Sequence, residues 1–211
     1  MSIKKEAVNE FDLRANTWDD NPIIIERSKA VAESIKKQIN INKQMKGFEF
    51  GCGTGLVSIN LQPYLKTITL ADNSQGMLNV VKEKIRKQKF SNLNILKTDL
   101  IQGKIPTEKF DIIYTVMTMH HIADINAILT RFHFLLNNMG YLAIVDLDKE
   151  DGSFHGNDFI GHKGFDRKEM HHLFEKNGFK NIRNETCYEI VRKDEQKTER
   201  TYPLFIMIGE K

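Results

Sequence analysis

The chain is expected to fold as a doubly wound α/β protein. It would be a Rossmann-like, seven-stranded, mostly parallel sheet with helices on both faces and a C-terminal antiparallel hairpin. Three observations predict this. Short β-forming runs alternate with amphipathic stretches five times, and parallel strands need such crossovers. Phe110 to Val116 is a nearly continuous apolar run, the pattern of a strand buried on both faces. The last two apolar runs are joined only by the charged stretch Arg192 to Arg200, which suits a hairpin.

Asn21-Pro22 supplies an N-cap and a proline at the first helical position, after which Ile24, Val31 and Ile35 recur at helical spacing. Lys46 to Phe50 reads as the first strand, and Leu56 to Leu61 as a helix that Pro63 helps to end. Thr67 to Ala71 is rich in β-formers and reads as the second strand. Ser74 caps a helix with Met77, Leu78, Val81 and Ile85 inward, and Leu93 to Leu96 forms a short third strand. Phe110 to Val116 is the fourth. Asp124 caps a helix whose stripe is Ile125, Ile128, Leu129, Phe132, Leu135 and Leu136, with Asn137 to Gly140 as its stop. Tyr141 to Val145 is the fifth strand. Asp166 and Glu169 open another helix, which ends at Gly178. Ile182 to Val191 and Tyr202 to Ile208 close the chain as the hairpin.

Bulk properties narrow the class. A chain of 211 residues can fill one core, so one domain is expected, with residues 1–44 as a helical lid or cap and 45–211 as the ligand-binding part. No run approaches the roughly 18 apolar residues of a membrane span, and Met1 to Glu10 lacks an apolar signal core. Cys52 and Cys187 cannot make a disulfide framework, which points to a reducing cytoplasm. A net charge of +3 is too small to argue for nucleic acid. Lys82, Lys84, Arg86, Lys87 and Lys89 read as the solvated face of a helix. There is no internal repeat.

Residues 49 to 55 read Glu-Phe-Gly-Cys-Gly-Thr-Gly, directly after a strand. Gly51, Gly53 and Gly55 give a sharp turn stripped of side chains, where a ligand can lie on main-chain N–H groups. Glu49 precedes it, and Asp72 ends the next strand. A dinucleotide fingerprint would place its third glycine three positions beyond Gly53, where Leu56 stands. No Gly-Lys-Ser/Thr follows, so the phosphate loop of nucleotide hydrolases is absent. An acid at this position repels a pyrophosphate and attracts a cationic ligand.

Glu49-Phe-Gly-Cys-Gly-Thr-Gly55 resembles the first motif of the class I S-adenosylmethionine-dependent methyltransferases. Leu70-Ala-Asp72, Thr98-Asp99-Leu100, Phe110 to Val116 with Met119-His120-His121, and Gly140 to Asp146 resemble the later motifs, in register over about residues 45 to 211. Ubiquinone and menaquinone methyltransferases are the suggested subgroup. The resemblance implies S-adenosyl-L-methionine as cofactor and S-adenosyl-L-homocysteine as product. It further implies that Gly51, Cys52, Gly53 and Gly55 pass the methionine part and that Glu49 steers its ammonium or the loop. Asp72 would accept the ribose hydroxyls, with Asn73 and Met77 flanking ribose and adenine. Asp99 would take the adenine amine, Leu100 would pack on its ring, and Thr115 and Val116 would line the methionine end. Plainer readings stay open: Glu49 as a strand-end charge, Asp72 as a helix-entry residue, Asp99 as a turn residue.

The reaction expected is in-line methyl transfer to oxygen, nitrogen or carbon of a small organic acceptor. His121, and less strongly His120, are candidate bases beyond the fourth strand, although one ring of such pairs often packs structurally. In Asp146 to His155, followed by His162, the two histidines are candidate acceptor contacts. Metal is not expected, because no His-x-x-x-His spacing appears. Trp18, with Phe11, Phe154 and Phe159, offers aromatic surface for an acceptor pocket. The Asn-Pro-Pro-Tyr type of motif, a nucleophilic cysteine near the fourth strand and an RNA-binding module are missing, so a small molecule is favoured over nucleic acid. A non-catalytic S-adenosylmethionine-binding module and an RNA or protein methyltransferase stand as alternatives.

Overall fold

A computed structural model describes residues 10–103, 105–156, 158–193 and 198–211. The chain begins with α1 (Glu10–Arg14) and a 3-10 stretch, Ala15–Asp20, followed by α2 (Pro22–Gln38), β1 (Lys46–Phe50) and α3 (Leu56–Leu61). Next come β2 (Thr67–Asp72), α4 (Gln75–Gln88), β3 (Leu93–Lys97), β4 (Phe110–Val116) and α5 (Ile125–Leu135). It ends with β5 (Leu136–Leu147), α6 (Arg167–Lys176), β6 (Lys180–Lys193) and β7 (Glu199–Glu210).

The strands form one sheet in the order β3-β2-β1-β4-β5-β7-β6. β1 to β5 pair in parallel, and β7 lies antiparallel to both β5 and β6. The strand order reverses between β1 and β4, which opens a crevice at their carboxyl ends. This is the mixed sheet expected from the alternation of elements and the final hairpin.

Local chemistry sets the boundaries. Asn21 Oδ1 accepts from the Ile23 amide at 3.0 Å, with Pro22 at the first helical position. Ser74 Oγ accepts from Met77 N at 3.1 Å, and Asp124 Oδ1 from Ala127 N at 2.9 Å. Asp166 Oδ1 accepts from both Lys168 N and Glu169 N. Each of these caps satisfies amide donors that a helix start would otherwise orphan.

Period-two alternation sends the two faces of each strand to separate cores. Phe48, Phe50 and Ile113 face α5 and α6, where Ile128, Phe132, Met170 and Phe174 are buried. Ile112 and Tyr114 face the opposite layer with Val31 and Ile35 of α2, Val57 and Leu61 of α3, and Leu78 and Val81 of α4. α2 is part of this continuous core, and residues 10–20 lie against α4.

Two other expectations needed adjustment. Leu136 belongs to β5, not to the stripe of α5, and pairs with Phe110. The register then slips until Ile112 meets Tyr141. The Asn137 to Gly140 stop is real, but it forms an irregularity within a strand, with Met139 at φ +64° and Met139 N bonded to the Lys211 carbonyl at 3.1 Å. The hairpin strands also run further than expected, pairing Arg192 with Arg200 and Lys193 with Glu199. The centre of the charged turn, 194–197, lies outside the described residues.

Candidate active site

The glycine loop follows β1 in the crevice. Gly51, Gly53 and Gly55 all have positive φ, between +52° and +77°, which L side chains rarely adopt. At Gly53 a Cβ would meet nothing within 4 Å, so the bare backbone faces open space. At Gly51 it would collide with the Thr118 side chain, beyond β4. The loop is thus open on one side and tightly fitted on the other.

Asp72, at the tip of β2, holds this loop. Its Oδ2 accepts from Gly53 N and its Oδ1 from Ser74 N, both at 2.8 Å. Burial pushes its carboxyl up from the ordinary value, while those amides pull it back. A carboxylate has about four acceptor positions, so these two bonds leave capacity for a ligand. Asn73 beside it is exposed.

Glu49 is placed behind the loop and is only 2% exposed. It accepts a hydrogen bond from Ser58 of α3, and Ser58 Oγ lies 2.6 Å from the Tyr114 hydroxyl on β4. Burial raises the Glu49 carboxyl to about 8. The side chain ties β1 to α3 and β4, so it shapes the loop from beneath and does not present a surface charge to an ammonium. Ser58 and Tyr114 were not legible as partners, because a tyrosine inside an apolar run carries no sequence sign of its bond.

Leu100 is fully buried with Phe50, Ala71 and Ile128. It packs into the core layer that faces α5. Asp99 Oδ1 accepts from Ile101 N and Gln102 N, the turn arrangement; an adenine amine would need Oδ2. Met77 is 1% exposed at the start of α4. Cys52 is buried, and burial drives its thiol well up, so it is no nucleophile. Thr115 Oγ1 is buried without a hydrogen-bond partner, and Val116 at the end of β4 is half-buried.

The N-terminal segment is fastened across this region. Asp12 Oδ1 accepts from Ser74 Oγ at 2.6 Å and Gly76 N at 2.7 Å, at the start of α4. Asp19 accepts from the Thr54 hydroxyl at 2.6 Å and pairs with Lys84 at 2.5 Å, and Lys84 also donates to the Thr54 carbonyl. Of the basic cluster read as a solvated face, Lys84 is instead a clamp between N-terminal segment and loop.

Beyond β4 and β5 lies the second half of the cleft. His120 is buried, and its Nδ1 donates to Asp146 Oδ1 at 2.7 Å. His121 presents its ring to the cleft, with Phe11 edge-on at 5.4 Å and Phe159 edge-on at 5.3 Å. His155 stacks on Phe159 at 4.0 Å with 15° between the planes. Burial, then neighbouring His120, hold both His121 and His155 down at about 4, so both are neutral near pH 7. His121 keeps an exposed edge while the surrounding rings strip water from the rest of it. One ring nitrogen from each of His120, His121 and His155 lies within 4.8 Å of the others.

Trp18 is half-buried, 6.0 Å edge-on from Phe11, with Arg14 over its face at 5.0 Å. His162 does not join the histidine group. Its Nε2 lies 3.0 Å from the Ile122 carbonyl, and its amide donates to the His120 carbonyl at 2.8 Å. It fastens the loop after β5 to the turn after β4. Arg27 of α2 carried no sequence signal, yet its Nε is buried without a partner. Burial lowers it to about 10, within the field of Asp146.

Residues 24–184, well over half of the chain, match the family model of a methyltransferase domain. An uncharacterized methyltransferase of Schizosaccharomyces pombe is 37% identical over 121 residues, 54% of this chain and 42% of that protein. The ubiquinone biosynthesis O-methyltransferase of Pelagibacter ubique is 26% identical over 70% of this chain and 67% of its own length. A solved S-adenosylmethionine-dependent methyltransferase of Aquifex aeolicus shares the fold at a TM-score of 0.66, with 18% identity over 93% of this chain and 97% of that one. The chain belongs to the class I S-adenosylmethionine-dependent methyltransferases.

Proposed function

We propose that the protein transfers a methyl group from S-adenosylmethionine to a small organic acceptor bound among His121, His155 and the surrounding aromatic rings. The single observation that carries this reading is the crevice between β1 and β4. A backbone-lined loop braced by Asp72 occupies one end, and a cluster of imidazole and phenyl rings around the exposed His121 occupies the other.

The residues present fit the donor. Gly53 leaves space where a side chain would stand, Thr115 Oγ1 lacks a partner at the strand tip, and Asp72 has acceptor capacity to spare. Asp72 would hold the ribose, Asn73 and Met77 its flank, Asp99 the adenine amine, and Gly51 to Gly55 with Thr115 and Val116 the methionine part. When bound, the donor supplies a methyl already activated on a sulfonium.

The chain's own task is alignment, which can contribute up to roughly 7–11 kcal/mol. The aromatic walls exclude water and hold the acceptor in line. Residues 10–20, latched through Asp12 and Asp19, act as the lid. Where the acceptor keeps a proton, His121 is the neutral imidazole placed to take it, a weak base while burial holds it at about 4. Neutral walls favour an aromatic or largely apolar acceptor. The test is transfer of labelled methyl into a metabolite extract, with S-adenosylhomocysteine binding followed by calorimetry. Saturable donor binding without product from any extract would leave a non-catalytic binding module; no donor binding at all would end the reading.

A further inference from the structure

Resting on the reading of this end of the cleft as the acceptor pocket, we propose that His120, His121 and His155 form a binding site for one divalent transition-metal ion, with the open coordination position turned to the acceptor.

The geometry is that of a three-histidine set. Ring centroids of His120 lie 4.3 Å from His121 and 4.7 Å from His155, and a nitrogen of each lies within 4.8 Å of the others. Metal–nitrogen bonds of about 2.0–2.1 Å at tetrahedral angles need nitrogens about 3.4 Å apart. The rings would therefore close by at most about 1.5 Å, within the reach of small side-chain rotations.

Two details point to a ligand and not to packing alone. The first is the bond from His120 Nδ1 to Asp146 Oδ1 at 2.7 Å. A carboxylate only accepts, so the proton sits on Nδ1 and the Nε2 lone pair is left for a metal. Asp146 is itself fully buried and held by the Leu147 and His120 amides. Carboxylates behind ligating histidines fix the tautomer and the ring direction in this way. The second is His155 Nδ1, which is buried with no hydrogen-bond partner. A buried polar atom left unpaired costs about 1–3 kcal/mol, and an ion taken on that nitrogen would remove that cost. Phe159 stacked on one face and Phe154 edge-on at 4.6 Å fix the His155 ring.

The donor set also selects the ion. Neutral imidazoles suit zinc, cobalt, nickel, iron and copper, whereas magnesium and calcium need oxygen ligands. Three protein ligands with a fourth position open is the catalytic arrangement. An acceptor oxygen or sulfur bound there would lose its proton to water more readily, because the ion stabilises the anion. A ring nitrogen that ligates cannot take up a proton, so in the loaded protein His121 is a ligand and not the base.

The experiment is Co²⁺ titration of chelator-stripped, full-length protein, followed by visible absorption. S-adenosylhomocysteine affinity and thermal unfolding are measured on the same samples. One ion per chain with tetrahedral ligand-field bands is expected in the wild type. His155→Ala and His121→Ala should each lower Co²⁺ affinity at least tenfold with donor affinity unchanged. Asp146→Asn should lower it by 10- to 100-fold, the usual range for such supporting carboxylates. Absent bands in folded wild-type protein, or bands unaltered in both histidine variants, would overturn the site. If the variants do not fold, the wild-type titration alone decides. Methyl transfer that survives chelation would remove the metal and leave the methyltransferase reading standing; loss of donor binding in unmodified protein would remove the latter independently.

Discussion

The two halves of the cleft are built by different means. The half proposed for the donor is backbone: three glycines at positive φ, amide donors, and one carboxylate that grips the loop through Gly53 and Ser74. The half proposed for the acceptor is side chain: three imidazoles and the rings of Phe11, Trp18 and Phe159, gathered from residues far apart in the chain. A backbone site tolerates few substitutions and changes little. A site made from loop side chains can be rebuilt for another ligand while the scaffold stays as it is, so the fold does not name the acceptor.

The sharpest way to break this division is Asp72→Ala. Two backbone bonds to a carboxylate are lost along with the proposed ribose contacts, at roughly 1.5–3 kcal/mol for each charged hydrogen bond. Donor affinity should fall by about 10²–10³ in calorimetry. An unchanged affinity would mean that the loop does not hold the donor.

His121→Ala should act on the other half alone. Methyl-transfer rate should fall about 100-fold or more, with S-adenosylhomocysteine affinity within twofold of wild type. A variant that loses donor affinity to the same degree would show that the halves are not separable.

Glu49 tests the support beneath the loop. Its carboxyl is raised from 4.5 to about 8 by burial, so the folded chain binds more protons than the unfolded chain between those values. Its contribution to stability is present in full below pH 4.5 and is lost as pH rises toward 8. Glu49→Gln, which keeps the shape without the charge, should remove roughly 3 kcal/mol of the stability change between pH 5 and pH 8 in denaturant titrations. Equal slopes would mean that Glu49 ionises without cost.

The smallest effect is expected at the lid. Asp12→Ala removes an acceptor from Ser74 Oγ and Gly76 N and should cost about 1 kcal/mol of stability. Donor dissociation should quicken in stopped flow. An unchanged off-rate would show that residues 10–20 do not cover the donor.

Sequence legibility followed the same division. Local signals fixed β1, α3, β4 and the caps at Asn21, Ser74 and Asp124, because each depends on residues within a turn of one another. The motif spacing gave the glycine loop and Asp72. It did not show that Leu100 is fully buried or that His162 bonds to the turn after β4, since nothing local tells whether a side chain points into the core or into the cleft. Tyr114 read as one more member of an apolar strand, although its hydroxyl meets Ser58 across 56 positions of sequence.

Period, glycine spacing and capping act over a few residues, so the sheet class, the bare turn after the first strand and the acids around it could be read along the chain. What those groups face followed from packing. It buried Glu49 against Ser58 and set Lys84 across to Asp19. It also brought His155 beside His120 and His121, from two strands whose parallel pairing places their carboxyl ends side by side. That juxtaposition is set by strand order, and no spacing along a chain encodes it.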